Sequence, residues 1–229
     1  MSSSVILAAL AVLSIVVSGI GTRDHWFHFR IGLALFALSG LLGASAAITG
    51  GLAWHRGSIA GAIAAIVGVL VMLPPAFGII TAAGKPMIHD ISTDLADPPR
   101  FEAINVAPYD SAIASAQRKA YADIQPHIVN ATPSDAFARA RAAAEASGWE
   151  IVSVRPAAGI IEATATTGWF GFKDDVIVRI RPADGGSRID VRSTSRVGKS
   201  DAGMNAKRIR QYLEALALTS AESRRPATP

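Results

Sequence analysis

Up to about residue 84 of this 229-residue chain, the only charged side chains are Arg23, Asp24, Arg30 and Arg56. The uncharged stretches between them are long. Crossing a hydrocarbon layer of ~30 Å at ~1.5 Å of rise per residue takes about 20 apolar residues. Residues 4–21, 31–49 and 59–81 each approach or meet that length. A buried helix of a soluble protein is the competing reading, and three uncharged runs in succession argue against it. The first run lacks the basic segment of a signal peptide and two more spans follow, so it is expected to stay as a span. The spacing of Gly40, Gly43 and Ala47 in the second run, and of Gly57, Gly61, Ala64, Ala65 and Gly68 in the third, gives each a face of small residues. Such faces let helices approach closely in lipid, so spans two and three are predicted to pack together. Pro74 and Pro75 are expected to kink the third span or unwind its last turn.

The first connection places Trp26 and Phe27 between Arg23 and Arg30, a composition suited to the membrane interface. His25 and His28 are close enough in sequence for a metal reading, although polar interfacial residues are the commoner case. The first connection carries two arginines and the second one, which favours a cytosolic domain after the third span.

Beyond residue 84 the composition becomes that of an ordinary soluble domain. The whole chain has 22 basic and 18 acidic residues; removing the three arginines and one aspartate of the membrane part leaves 19 and 17. That balance speaks against a nucleic-acid partner. The chain has no cysteine, which excludes disulfides, thiolate metal sites and a cysteine nucleophile.

Residues 85–122 hold several prolines and aspartates, and they read as a linker or irregular wrap ending in a short helix that brings Ile113, Gln117 and Tyr121 to one face. Residues 123–219 read as the folded domain. A strand is expected near 124–130, then a helix capped by Thr132 and closed by Gly148. Four strands follow, at 149–155, 160–167, 175–181 and 188–195, before a last helix from 202 to about 218. Centring the final hairpin on Asp184 and Gly185 opposes Ile180 with Ile189, Val178 with Val191 and Arg179 with Asp190. One face of that sheet is then apolar and the other charged, and the charged face is expected to be solvated. The fold class is α+β: three transmembrane helices, then a small antiparallel sheet with helices on one face. Residues 220–229 read as a disordered tail.

Three clusters invite a functional reading. Trp169, Phe170, Phe172 and Lys173 lie in a connection where polar residues are usual; they point to ligand or membrane contact, with folding back onto the core as the plain alternative. Arg196, Gly198, Lys199 and Ser200 precede the last helix and could hold an anion, while Ser200 or Asp201 as a simple cap competes. His89, Asp90 and Asp94 are candidate metal or general-base residues, and turn formation alone would also explain them. No catalytic residue and no cofactor motif stands out.

The segments at 89–94 (HDISTD), 168–175 (GWFGFKDD) and 190–201 (DVRSTSRVGKSD), followed by Asn205, resemble the family called domain of unknown function 1499 over about residues 85–217. That resemblance implies no reaction or cofactor. Its members occur as bacterial envelope and thylakoid-lumen proteins, which implies an extracytoplasmic domain and outweighs a difference of one arginine.

The leading expectation is therefore a membrane-anchored, non-enzymatic binding or scaffolding module in the cell envelope. Its partners would be membrane lipid, envelope proteins or an apolar small molecule. The alternative is a metal-assisted hydrolase using His89, Asp90, Asp94 and His127 with Asp174 or Asp175. A third reading is an assembly partner that offers a sheet edge.

Overall fold

The computed structural model describes residues 2–222, with side chains to residue 217, as two compact units. The first comprises Met1–Ala83 together with Thr167–Gly171. Its three helices, α1 (Ser3–Arg23), α2 (Phe29–His55) and α3 (Ile59–Ala82), are each long and apolar enough to cross a membrane. His28 opens α2 by accepting a hydrogen bond from the Arg30 amide on its Nδ1 atom, and Ser58 opens α3 by accepting one from Gly61. Capping is thus what His28 does here. Helix α3 runs through Pro74 and Pro75 to Ala82, so the expected unwinding does not occur.

Packing of α2 on α3 follows the small residues. A Cβ on Gly43 would come within 2.7 Å of the Gly68 carbonyl oxygen, and one on Gly50 within 2.6 Å of the Gly61 oxygen. These backbones touch directly, which requires hydrogen as the side chain. Gly57 takes no part, because it lies just past α2 with a φ of +87°. Between α1 and α2 the Ser14 hydroxyl donates to the Leu35 carbonyl at 2.8 Å. The fourth piece of this unit, Thr167–Gly171, is aromatic. The Trp169 indole lies over Gly19, where a Cβ would come within 2.9 Å of it, and the Phe170 ring meets Phe36 edge-on at 5.2 Å between centroids.

The second unit comprises Gly84–Thr166 and Phe172–Pro229. Its sheet contains β1 (Asp90–Ser92), β2 (His127–Val129), β3 (Glu150–Arg155), β4 (Ile160–Thr166), β5 (Lys173–Ala183) and β6 (Gly186–Ser195). All pairings are antiparallel, in the order β1-β6-β5-β4-β3, with β2 beside β1 on the same edge of β6. The register of β5 with β6 opposes Ile180 with Ile189, Val178 with Val191 and Arg179 with Asp190, as the turn chemistry predicts. Residues 85–122 are part of this unit and not a separate linker, because β1 completes the sheet edge. At the opposite edge, β3 is irregular between Ile151 and Ser153, which blunts it as a template for a further strand.

Helices α5 (Pro133–Ala146) and α6 (Met204–Glu222) cover the apolar face. Thr132 starts α5, its hydroxyl accepting from the Asp135 amide. Phe137, Ala140 and Ala144 of α5 and Ile209, Tyr212 and Leu216 of α6 are buried against Val176, Val178, Ile180, Ile189 and Val191. A short 3-10 turn (Ser111–Ile113) leads into α4 (Ala114–Ala120), whose Gln117 is buried and bonds both the amide and the carbonyl of Ser92. Helix α6 continues to Glu222, past the predicted end; the rest of the predicted tail lies outside the described residues.

Candidate functional site

The charged face of the sheet is largely covered, with only the Arg181 and Arg188 side chains still about one-third exposed, at 38 % and 32 %. Alternation along β4, β5 and β6 puts Glu162, Asp175, Arg179, Arg181, Arg188, Asp190 and Arg192 on the side away from α5 and α6. Residues 94–110 are strapped over them. Glu162, Asp190 and Arg192 are at most 1 % exposed, so the expectation of weak, water-screened pairs fails here. An irregular strap can cover charged side chains only if every charge finds a partner, since an unpaired buried ion is costly.

Each does. Arg192 donates to both oxygens of Asp90, at 3.0 and 2.7 Å, and to the carbonyls of Pro99 and Ala107, while the rings of Phe101 and Tyr109 flank its guanidinium. Burial beside Asp90 pushes the Tyr109 hydroxyl up to about 12. Glu162 accepts from the successive amides of Glu102, Ala103 and Ile104 and from Arg155. Asp94 and Asp190 each receive Arg179, Arg181 and Arg188, and Asp97 receives the first two. Burial alone would raise the Asp94 carboxyl. The Asp97 and Ala96 amides and the Arg188 and Arg179 charges outweigh it and hold Asp94 below the usual aspartate range.

Beside the strap lies a cleft of about 960 Å³. His89 and Asp90 form one part of its wall, residues 103–108 of the strap another, and Asp175, Thr194, Arg196 and Lys199 a third. The cleft thus joins residues that the sequence assigned to two different sites. Asp175 is buried, and both its oxygens accept from Arg196, at 2.9 and 2.7 Å; the Thr164 hydroxyl contacts the same pair. The Asp175 bond comes first among the effects that hold the Arg196 guanidinium above its ordinary range. Lys199 is exposed and makes no hydrogen bond or ion pair with any described residue.

The remaining candidates go elsewhere. Asp94 lies in the arginine cluster, and Asp174, on the opposite face from Asp175, binds Arg208 of α6. His127 sits on β2 opposite Ile189. Among the described residues no three His, Asp or Glu side chains gather as cation ligands, so the proposed set of His89, Asp90 and Asp94 is not assembled. The physical reason is that Asp90 and Asp94 are each committed to guanidinium groups. At the head of α6, Asp201 accepts from the amides of Gly203 and Asn205, filling donors that an anion there would need. Ser200 accepts from Ala202, and Gly198 has a φ of +90°. Trp169 and Phe170 belong to the helical unit, whereas Phe172 is half-buried and Lys173 exposed at the start of β5. Sequence reasoning missed the apolar wall of the cleft, Ile104, Val106 and Ile113, because the strap that carries most of it has no periodicity.

Residues 90–216 match the family described as Protein of unknown function (DUF1499). No curated protein matches the chain.

Proposed function

We propose, from the premise that this chain belongs to the DUF1499 family, that it is a membrane-anchored binding module whose ligand site is the cleft beside the strap. What carries the reading is the state of the charges around that cleft. Asp90 and Asp175 are each held by a guanidinium through both oxygens. They give the walls a fixed shape and polarity, and neither carboxylate could take up a proton without loosening its ion pair. The pattern suits recognition better than acid–base chemistry, and its volume falls in the range of small-molecule sites.

Three apolar helices supply the anchor. The domain acts at the membrane surface and, in keeping with the envelope setting of the family it resembles, on the extracytoplasmic side. Because the chain has no cysteine, Asp184→Cys in the exposed β5–β6 turn gives a single thiol for this test. Labelling of intact cells by a membrane-impermeant maleimide is the expected result; labelling only after lysis reverses the orientation.

The binding reading is tested on the full chain in phosphatidylcholine nanodiscs by hydrogen–deuterium exchange, with and without a low-molecular-mass extract of the host cell. Slowed exchange at residues 103–108 and 194–199 is expected, with α5 unchanged. Identical exchange in both samples would remove the cleft as a ligand site.

A further inference from the structure

Resting on the reading of the cleft as a binding site, we infer that its ligand is an amphiphile with a single anionic group. That group would be a phosphate or carboxylate held between Lys199 and the outer edge of Arg196. Arg196 spends Nε and Nη2 on Asp175 and Thr164, and its Nη1 has no partner among the described residues. The inner edge of the guanidinium is thereby locked while the outer edge remains available, so an incoming anion meets a donor already oriented. The Arg196–Asp175 pair is close to neutral as a unit, so Arg196 contributes an oriented donor and the net positive charge comes from Lys199. Lys199 adds an ammonium with no competing partner, three residues further along the same connection.

The rest of the cleft is chemically different. Met87, Ile88, Ile104, Val106, Ile113 and Val152 line it, and Met87 and Val152 are exposed despite their apolar side chains. An inorganic anion would leave that surface wet, whereas an alkyl tail attached to the anion would cover it. Asp110 also lines the cleft, its carboxylate accepting only from the Ala112 amide. A carboxylate without a cationic partner there disfavours a second anionic group beside it, hence a single anionic head.

The test titrates octyl phosphate into the full chain in phosphatidylcholine nanodiscs by calorimetry, with empty nanodiscs subtracted. Octanol and inorganic phosphate are the controls. Saturable one-site binding is expected, at least tenfold tighter than either control. Lys199→Glu should weaken it at least tenfold, and the uncharged Val106→Asn should weaken it while leaving phosphate binding unchanged; both variants must keep the far-ultraviolet spectrum of the parent. Phosphatidylglycerol in the disc then separates two sources of the same chemistry: competition assigns the anion to a bilayer lipid, and its absence to a soluble amphiphile. Octanol binding as tightly as octyl phosphate overturns the anionic head but leaves the cleft as a binding site. Phosphate binding as tightly as octyl phosphate overturns the tail. No saturable heat, or an unchanged Lys199→Glu variant, overturns the inference altogether, while protection by the cell extract would still stand for the broader reading.

Discussion

Gly43 against Gly68 in the helical unit and Asp90 against Arg192 in the sheet unit both mark places where two stretches of backbone are drawn together. The chemistry is opposite. Between α2 and α3 nothing is added: side chains are reduced to hydrogen, and dispersion between bare backbones does the work, because lipid offers no hydrophobic drive to helix association. Between strap and sheet, charge is added until every buried ion has a counter-charge, although Arg155 Nε is left without a hydrogen-bond partner. A strap without helix or strand has many backbone groups to satisfy, and Arg192 and Glu162 take up five of them from the sheet side. The comparison teaches that closeness in the first unit is a matter of volume, and in the second a matter of complete pairing. Each should therefore fail under a different kind of substitution.

The largest effect is expected from unpairing the strap. Asp90→Asn leaves the Arg192 guanidinium, 1 % exposed, without its counter-charge. Breaking a buried pair from one side costs roughly 3–5 kcal/mol. Chemical unfolding of the second unit, followed by Trp149 fluorescence in a chain whose other three tryptophans are replaced by Phe, should report that loss. The double variant Asp90→Leu with Arg192→Met should recover only part of it, since no ion remains but the Pro99 and Ala107 carbonyls lose their donor. If the single variant lost less than about 1 kcal/mol, the surface-pair range, complete pairing would not be what holds the strap.

Next comes Gly68→Val in α3, where the new Cβ would run into the Gly43 carbonyl, the Ala47 amide and the Ala46 Cβ. Overpacking typically costs about 1–3 kcal/mol. Unfolding in detergent mixtures should shift by that amount, while Gly51→Val, with nothing within 4 Å, should leave it almost unmoved. Equal behaviour of the two variants would mean that the small-residue face is only dilution.

The spans, the β5–β6 register and the small-residue packing were legible because each follows from a period or a turn. Three uncharged runs mark the spans, and Asp184 with Gly185 pins the hairpin so that Arg179 must face Asp190. The strap was not legible. Its contacts join residues about 60 to 100 apart in sequence, Glu162 to Ala103 and Arg192 to Asp90, and no local pattern predicts which aspartate meets which arginine. The charged face of β5 and β6 therefore looked solvated until its cover was seen. The cleft was half legible: His89, Asp90, Arg196 and Lys199 were all singled out, but as two sites, since only the pairing of β1 with β6 brings them together.

A smaller effect tests whether the aromatic connection belongs to the helical unit by more than proximity. The edge-on pair of Phe36 and Phe170 is of a kind worth about 0.5–1.5 kcal/mol beyond burial. A double-mutant cycle with Phe36→Leu and Phe170→Leu, read by unfolding of the full chain in nanodiscs, should return a coupling in that range. Additive single effects would show that the two rings are neighbours without interaction.

The smallest effect expected is local and depends on pH. The Asp94 carboxyl is held below its ordinary value in the folded chain, so the unfolded chain binds its proton more readily. Stability from Asp94 is therefore fully present above the ordinary aspartate range near ~3.9 and is lost as pH falls through the lower, folded value. Protonation removes one acceptor charge facing Arg179, Arg181 and Arg188, leaving Asp190 and the more exposed Asp97 to balance three guanidinium groups. Exchange at residues 95–97, corrected for the intrinsic pH dependence of exchange, should rise on acidification below about pH 4. The backbone of α5 should remain protected. Asp94→Asn should show the raised exchange already at pH 7, with little further change on acidification. If that variant at pH 7 matched the parent, the three arginines would be held by Asp190 and Asp97 alone, and complete pairing would be more than the strap requires at this end.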